Sequence, residues 1–371
     1  MKIGIDCRLW SESGIGRYTR NLIEQLLIID KKNKYTLLIL SKDYDQIISY
    51  LSSLNFHLVK TDIRWHTIEE QLKFPQILNK ENLDLIHFPY FSVPIFYNKP
   101  FVVTIHDLIM HHFPTGQAST HSSIVYKVKL LGYKHVISQA AKKAQKIIAV
   151  SNATRDEIVD HLKIDSKKIV VTYEGVDNKL SGNYKLEIGN WKLKNLPSKF
   201  FLYVGNAYPH KNLDRLLEAF KILNSDVGLV LVGKEDYFYK SLKEKVKNMG
   251  LDRKVIFFGQ ASDEELASLY ANASAFITPS LMEGFCLPAL EAMANRCLVL
   301  SSDIPALREV CGDAAIYFDP HNTNDMMEKM KEVCSGDNSD KKEKGLERAN
   351  QFSWEKMAKE TLKIYESCVS L

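Results

Sequence analysis

Short apolar runs alternate along this chain with longer stretches whose apolar positions recur every three or four residues. The runs read as buried strands, and the periodic stretches as helices with one face on a core. In the first half the pattern predicts strands at 2–6, 35–40, 83–88, 101–105, 146–150 and 169–172. Helices are predicted at 16–29, 126–144 and 153–161, the last opened by the N-cap chemistry of Ser151 and Asn152. Residues 176–197 are polar and have no period, so they read as a connection. A second set follows, with strands at 200–204, 227–232, 255–258, 275–278, 297–301 and 315–318. Its helices are predicted at 212–224, 239–249, 263–272, 288–294, 305–310 and 325–335. A polar break then precedes an amphipathic helix at 354–369. This rhythm predicts an α/β protein of two doubly wound parallel-sheet domains with a cleft between them. The expected bounds are 1–177 for the first domain, 178–197 for the linker and 198–353 for the second domain. Residues 354–371 are expected to form a terminal helix crossing back to the first domain.

Bulk properties narrow the class. The 371 residues exceed one ordinary core and suit two domains. No apolar run approaches the ~20 residues that span a bilayer, and the first 30 residues carry no secretory pattern. Six scattered cysteines without a C-x-x-C pair predict reduced thiols and a cytoplasmic protein. The net charge of +4 is uneven. Residues 1–180 hold 24 Lys/Arg against 18 Asp/Glu, and the remainder holds 25 against 27. Within 121–146, Lys127, Lys129, Lys134, Lys142, Lys143 and Lys146 occur without an acid, interleaved with apolar residues. Such a helix suits peripheral contact with the anionic inner face of a membrane; the plainer reading is a solvated lysine face. No fold motif supports nucleic-acid binding.

Several short segments carry candidate chemistry. Glu283-Gly284-Phe285-Cys286-Leu287-Pro288 leads into a proline-started helix that contains Glu291. A free helix N-terminus binds anions, so a diphosphate would rest on the amides of Phe285, Cys286 and Leu287. Glu291 would then accept from ribose hydroxyls, and Glu283 would lie near the group the diphosphate carries. The alternative is a surface loop with two solvated glutamates. Gly14-Ile15-Gly16-Arg17-Tyr18-Thr19 follows the first strand, but Thr19 stands where a dinucleotide fingerprint needs glycine, which weighs against an NAD oxidoreductase. His106-Asp107 ends a strand, where histidine either meets substrate or caps and packs. His111 and His112 follow, at a spacing that matches no defined metal site, so no metal is expected. Lys211 precedes a helix, where its charge opposes the dipole unless an anion compensates. Asp43-Tyr44-Asp45 reads as a helix-start acid cluster rather than a metal-binding D-x-D.

Together these segments resemble the retaining nucleotide-sugar glycosyltransferases of family four, and the resemblance spans nearly the whole chain. It rests on Gly14-Ile15-Gly16-Arg17-Tyr18, His106-Asp107-Leu108, Val150-Ser151-Asn152-Ala153-Thr154-Arg155 and Glu174-Gly175-Val176-Asp177. It continues through Pro209-His210-Lys211-Asn212, the Glu-x7-Glu segment at 283–291, and Ser302-Asp303-Ile304-Pro305-Ala306-Leu307-Arg308-Glu309. The resemblance implies the GT-B fold, with Rossmann-like domains facing a cleft. It implies that Glu291 binds donor ribose, that Glu283 supports positive charge on the donor sugar, and that Lys211 stabilises the departing phosphate. Gly14 and Gly16 would approach the phosphate, His106 would contact the sugar, and Phe285, Cys286 and Leu287 would offer amides. No metal or other cofactor is implied. Two positions depart from the family. Asn206 stands where a second cation is frequent, and Cys286 replaces a glycine, which is tolerable if its φ is negative. The loop combination is most similar to mannosyltransferases of bacterial surface polysaccharides. That implies GDP-mannose as donor and a lipid-linked saccharide as acceptor. A UDP-sugar transferase of the same fold, a sugar-nucleotide epimerase and a non-catalytic sugar-nucleotide sensor are the alternatives.

Overall fold

The computed structural model describes residues 1–52, 54–114, 123–176 and 196–369, with backbone alone at 123–126. Two compact units divide the chain. One combines Met1–His111, His121–Gly175 and Ser353–Leu371; the other is mainly Val176–Phe352. The expected linker, 178–197, lies outside the described residues except for its last two.

The first unit is built on seven parallel strands: β1 (Lys2–Asp6), β2 (Lys34–Ile39), β3 (His57–Lys60), β4 (Leu85–Phe88), β5 (Phe101–Ile105), β6 (Lys146–Ala149) and β7 (Ile169–Val171). Their order in the sheet is β3-β2-β1-β4-β5-β6-β7. Helices α1 (Gly14–Ile29), α2 (Tyr44–Tyr50), α3 (Ile68–Lys80), α4 (Ile109–His112), α5 (Ser123–Lys143) and α6 (Asn152–Leu162) connect them. The terminal helix Trp354–Val369 belongs to this unit and packs on α1. Leu78, Ile86, Phe88, Val103, Ile105 and Ile147 lie in one buried cluster.

The second unit carries six parallel strands: β8 (Phe200–Val204), β9 (Gly228–Val232), β10 (Val255–Gly259), β11 (Ala275–Thr278), β12 (Val299–Ser302) and β13 (Ala315–Phe318). They lie in the order β10-β9-β8-β11-β12-β13. In both sheets the strand order reverses beside the unit's first strand, at β1/β4 and at β8/β11. Loops leaving the carboxyl ends of adjacent strands diverge there and leave a ligand crevice.

Five elements beyond the periodicity reading appear, and each has a physical reason. β3 is an edge strand whose residues are half-buried or exposed, so it lacks an apolar run. α3 buries Phe74 and Leu78, but its first two turns break the usual pattern. Its Ile68 and Leu72 point outward, 79% and 55% exposed, while the fully buried Glu70 points inward to Arg8. α2 and α4 are too short to show a period. The Ser339–Ala349 helix buries only Gly345 and Ala349, so the expected polar break is helical. Asp43 does directly precede α2, but it caps nothing; its buried carboxylate accepts from the Ser11 hydroxyl at 2.5 Å.

The entry into the Leu287–Ala294 helix does not meet the condition under which Cys286 is readily tolerated. Cys286 has φ +78°, so it is left-handed rather than negative. A non-glycine residue there costs about 1–2 kcal/mol, and a β-branched one more. We therefore expect thermal midpoints in the order Cys286→Gly at or above wild type, with Cys286→Val several degrees below. Calorimetry that ranks valine above glycine would contradict a left-handed helix entry.

Candidate active site

The loop after β8 and the loop after β11 meet at the second unit's reversal of strand order. Asn212 stitches them. It sits at φ +59°, a conformation asparagine tolerates, and its side-chain amide donates to Pro279 O (3.0 Å) and Pro320 O (2.9 Å). The Leu281 amide donates to His210 O at 2.8 Å. These bonds set Lys211, from one loop, against Glu283, from the other.

The Lys211 ammonium lies 2.7 Å from Glu283 Oε1, and the Ser280 hydroxyl donates to the same oxygen at 2.6 Å. The two side chains are 17% and 8% exposed. Burial alone would raise the Glu283 carboxyl. The charge and hydrogen bond of Lys211 outweigh it, with help from Ser280 and His210, and the pKa is lowered. Glu283 is thus ionised at neutral pH. Its contribution to stability is complete above the ordinary carboxylate range and fades as pH falls through the lowered value. Burial, aided by the Lys211 charge, pulls His210 down to about 4, so the neighbouring imidazole is neutral and Lys211 carries the cation. The anion that the helix-dipole argument demanded for Lys211 is Glu283 itself.

Glu291 lies one turn into the Leu287–Ala294 helix, is only 4% exposed, and accepts from the Tyr270 hydroxyl at 3.0 Å. Glu291 is therefore buried and Glu283 is half-buried in an ion pair, which overturns the solvated-surface reading for both. Phe285 is buried and its ring packs edge-on against Phe352, 5.8 Å between centroids. Leu287 is buried at the first position of the helix. Burial, and then the Glu283 charge, push the Cys286 thiol far up, so it is no nucleophile at neutral pH. Asn206 builds its own loop: its carbonyl accepts from the Tyr203 hydroxyl at 2.5 Å and its Oδ1 from the Tyr208 amide at 3.4 Å. The Tyr239 hydroxyl anchors the same loop through Gly205 O at 2.8 Å.

The remaining candidates belong to the first unit. Gly16 is buried in the first turn of α1, where a Cβ would come within 2.5 Å of Trp10 O. Packing of its own loop is reason enough for that glycine. Gly14 is exposed, and a Cβ there would meet nothing. His106 follows β5 with both ring nitrogens in protein hydrogen bonds, to Glu174 and to Pro89. Among the described residues, the structure thus gathers Lys211, Glu283, Cys286 and Glu291 within the second unit, and Gly14, Gly16 and His106 within the first. The sequence reading gave no role to Ser280, Tyr270, Asn212 or Glu174. Ser280 stands three residues before Glu283 and was reachable as a local partner, whereas the others act across long stretches of chain.

Comparison with known proteins follows the same division. Residues 13–180 match the family model described as Glycosyltransferase Family 4, and residues 187–351 match Glycosyl transferases group 1. The O-antigen chain mannosyltransferase RfbU of Salmonella typhimurium is 29% identical over 72% of this chain and 70% of its own. An N-acetylgalactosamine-N,N'-diacetylbacillosaminyl-diphospho-undecaprenol 4-alpha-N-acetylgalactosaminyltransferase of Campylobacter jejuni is 30% identical over 62% of each. The Anabaena protein HepE, solved in complex with UDP and glucose, superposes with a TM-score of 0.78 at 16% identity over 99% of this chain and 100% of its own. With the two strand orders, this likeness makes the fold GT-B. Matched by one glycosyltransferase model across its first half and by another across its second, the chain belongs to the glycosyltransferases that join a Family 4 module to a group 1 module.

Proposed function

We propose that this glycosyltransferase moves mannose from GDP-mannose, with retention of anomeric configuration and without a metal ion, onto a lipid-linked saccharide in O-antigen-type polysaccharide assembly. The observation that carries the reading is the half-buried Lys211–Glu283 pair at the β8/β11 reversal, with Glu291 held one helical turn beyond it. An ammonium has three N–H groups, so Lys211 can hold Glu283 and still meet a phosphate oxygen. When the sugar–phosphate bond loosens, negative charge grows on the diphosphate and positive charge on the sugar. Lys211 answers the first and ionised Glu283 the second, both already in place before the reaction. Lys211 and Ser280 both hold Glu283 Oε1, which stabilises this carboxylate as an anion. Retention then follows if the departing phosphate takes the acceptor proton on the face it leaves.

Mannose is favoured by the relative RfbU, and a lipid-linked acceptor by the name of the Campylobacter relative. The UDP and glucose bound by HepE support a UDP-sugar as the second reading. Peripheral membrane contact is supported by α5. Its core face buries Tyr133, Ile137 and Ala141, yet Val128 and Leu131 stand 63% and 67% exposed beside Lys127, Lys129 and Lys134. Among the described residues, no helix is long and apolar enough to cross a membrane.

A thermal-shift panel of GDP- and UDP-sugars, followed by mass spectrometry with lipid-linked acceptors, tests the donor and the transfer. GDP-mannose should stabilise most and yield a product one hexose heavier. Glu291→Ala should weaken donor binding about tenfold or more, and Lys211→Ala should cut kcat by about 10²-fold, the scale for losing one charge-stabilising donor. Near-wild-type kinetics in both variants would defeat the site assignment. Excess chelator should leave turnover largely intact; full loss restored by Mn²⁺ would refute a metal-free mechanism. Anionic vesicles should bind the protein at low salt, less so after Leu131→Glu, and release it as screening rises. Absence of vesicle binding at low salt would remove membrane contact from the account.

A further inference from the structure

Segments that follow three other strands of the first unit converge on His106 at the end of β5. Its Nε2 lies 2.9 Å from Pro89 O, after β4, and its Nδ1 lies 3.2 Å from Glu174 Oε1, after β7. The Thr154 hydroxyl, after β6, donates to the His106 carbonyl at 3.0 Å. Tyr18 of α1 meets the ring edge-on at 4.9 Å. Glu174 has little freedom to leave, because a Cβ on the adjoining Gly175 would collide with the backbone of Ser353 and Trp354.

A carbonyl oxygen only accepts, so Nε2 carries a proton. In a neutral imidazole that would leave Nδ1 as a lone pair facing a carboxylate, which is an acceptor against an acceptor. The contact is satisfied only with a proton between them. His87 on β4 provides the contrast. Its nitrogens face the hydroxyls of Tyr365 (2.6 Å) and Thr104 (2.8 Å), and either hydroxyl can donate or accept. A neutral ring is therefore satisfied there, and burial, with the positive His106 as a second cause, pulls its pKa to about 3.

We infer that Glu174 holds His106 as an imidazolium, so that His106 acts at the ligand edge of the first unit as a fixed positive charge and not as a proton acceptor, with Glu174 its positioning residue. The catalytic use of that charge rests on the glycosyl-transfer reading, whereas the charge state does not. The titratable groups around the ring agree. Glu174 and Asp107 are the acids, and His87, Tyr18 of α1 and Tyr365 of the terminal helix are neutral. Burial works hardest against the charge, but the hydrogen bond and charge of Glu174, the Pro89 carbonyl and Asp107 together outweigh it, and the pKa is raised. The sign follows: the charge is present below the ordinary histidine range and is lost only as pH rises through the raised value.

Histidine-selective ¹⁵N labelling reads the charge directly, with the His106 signals identified by their loss in His106→Asn. At pH 7 the wild-type ring should show two protonated nitrogens, and Glu174→Gln should show one protonated nitrogen and one lone pair. In the same variant the alkaline fall of kcat should move down by about one pH unit or more, and Glu174→Asp should restore part of the shift. A bare Nδ1 in wild type at pH 7, which would put the proton on Glu174, overturns the inference, and the wild-type spectrum alone decides this if the variant fails to fold. An unchanged ring and an unchanged profile in Glu174→Gln would also overturn it. A charged ring in a protein that transfers no sugar from any donor would instead sink the transfer reading and leave the charge state standing.

Discussion

The ion pair between Lys211 and Glu283 is the point on which the candidate site of the second unit depends. Seventy-two residues separate the partners in sequence, and only the parallel order of β8 and β11 brings their loops side by side. A half-buried pair of this kind gains little net stability, because each ion gives up part of its hydration before their attraction repays it. Its value lies in geometry. The ammonium is pinned, the carboxylate stays ionised, and neither has to reorganise when charge develops nearby. Asn212, in its left-handed conformation, and Ser280 maintain that arrangement.

The first unit places its own buried cation just beyond its first strand. Arg8 forks onto Asp6 at 2.9 and 2.7 Å, reaches Glu70 at 2.7 Å and lies over the Phe74 ring at 3.8 Å. Its 1% side-chain exposure differs from the 17% of Lys211, and the difference separates two uses of charge. Arg8 spends its donors on the protein and shapes the loop after β1. Lys211 keeps part of its side chain at the surface. His106 and His87 divide in a similar way: one faces acceptors and takes a proton, while the other faces hydroxyls and stays neutral.

Much of this was legible in the sequence because fully buried parallel strands read as unbroken apolar runs. β1, β5, β8, β11 and β13 have the bounds the pattern predicts. What escaped lacks that signal. β3 lies at an edge, α3 exposes Ile68 and Leu72 and buries Glu70 in its first turns, and the Ser339–Ala349 helix has almost nothing to bury. At the site, local chemistry pointed to Lys211 and Glu283 separately, and the dipole argument even required an anion beside the lysine. That each is the other's partner depends on strand order, which no local pattern encodes. The sign of φ at Cys286 was open for the same reason. The turn is dictated by the backbone path from β11 into the following helix, not by the residue that occupies it.

The account stands or falls on where a donor's diphosphate settles. A crystal structure with GDP-mannose, or with an unreactive fluorinated analogue, is the direct measurement. The account predicts a phosphate oxygen within hydrogen-bonding distance of Lys211 Nζ, ribose hydroxyls on the Glu291 carboxylate and the sugar over Glu283. A donor bound away from these three side chains, or a diphosphate held by a divalent cation with Lys211 still turned only to Glu283, would contradict it.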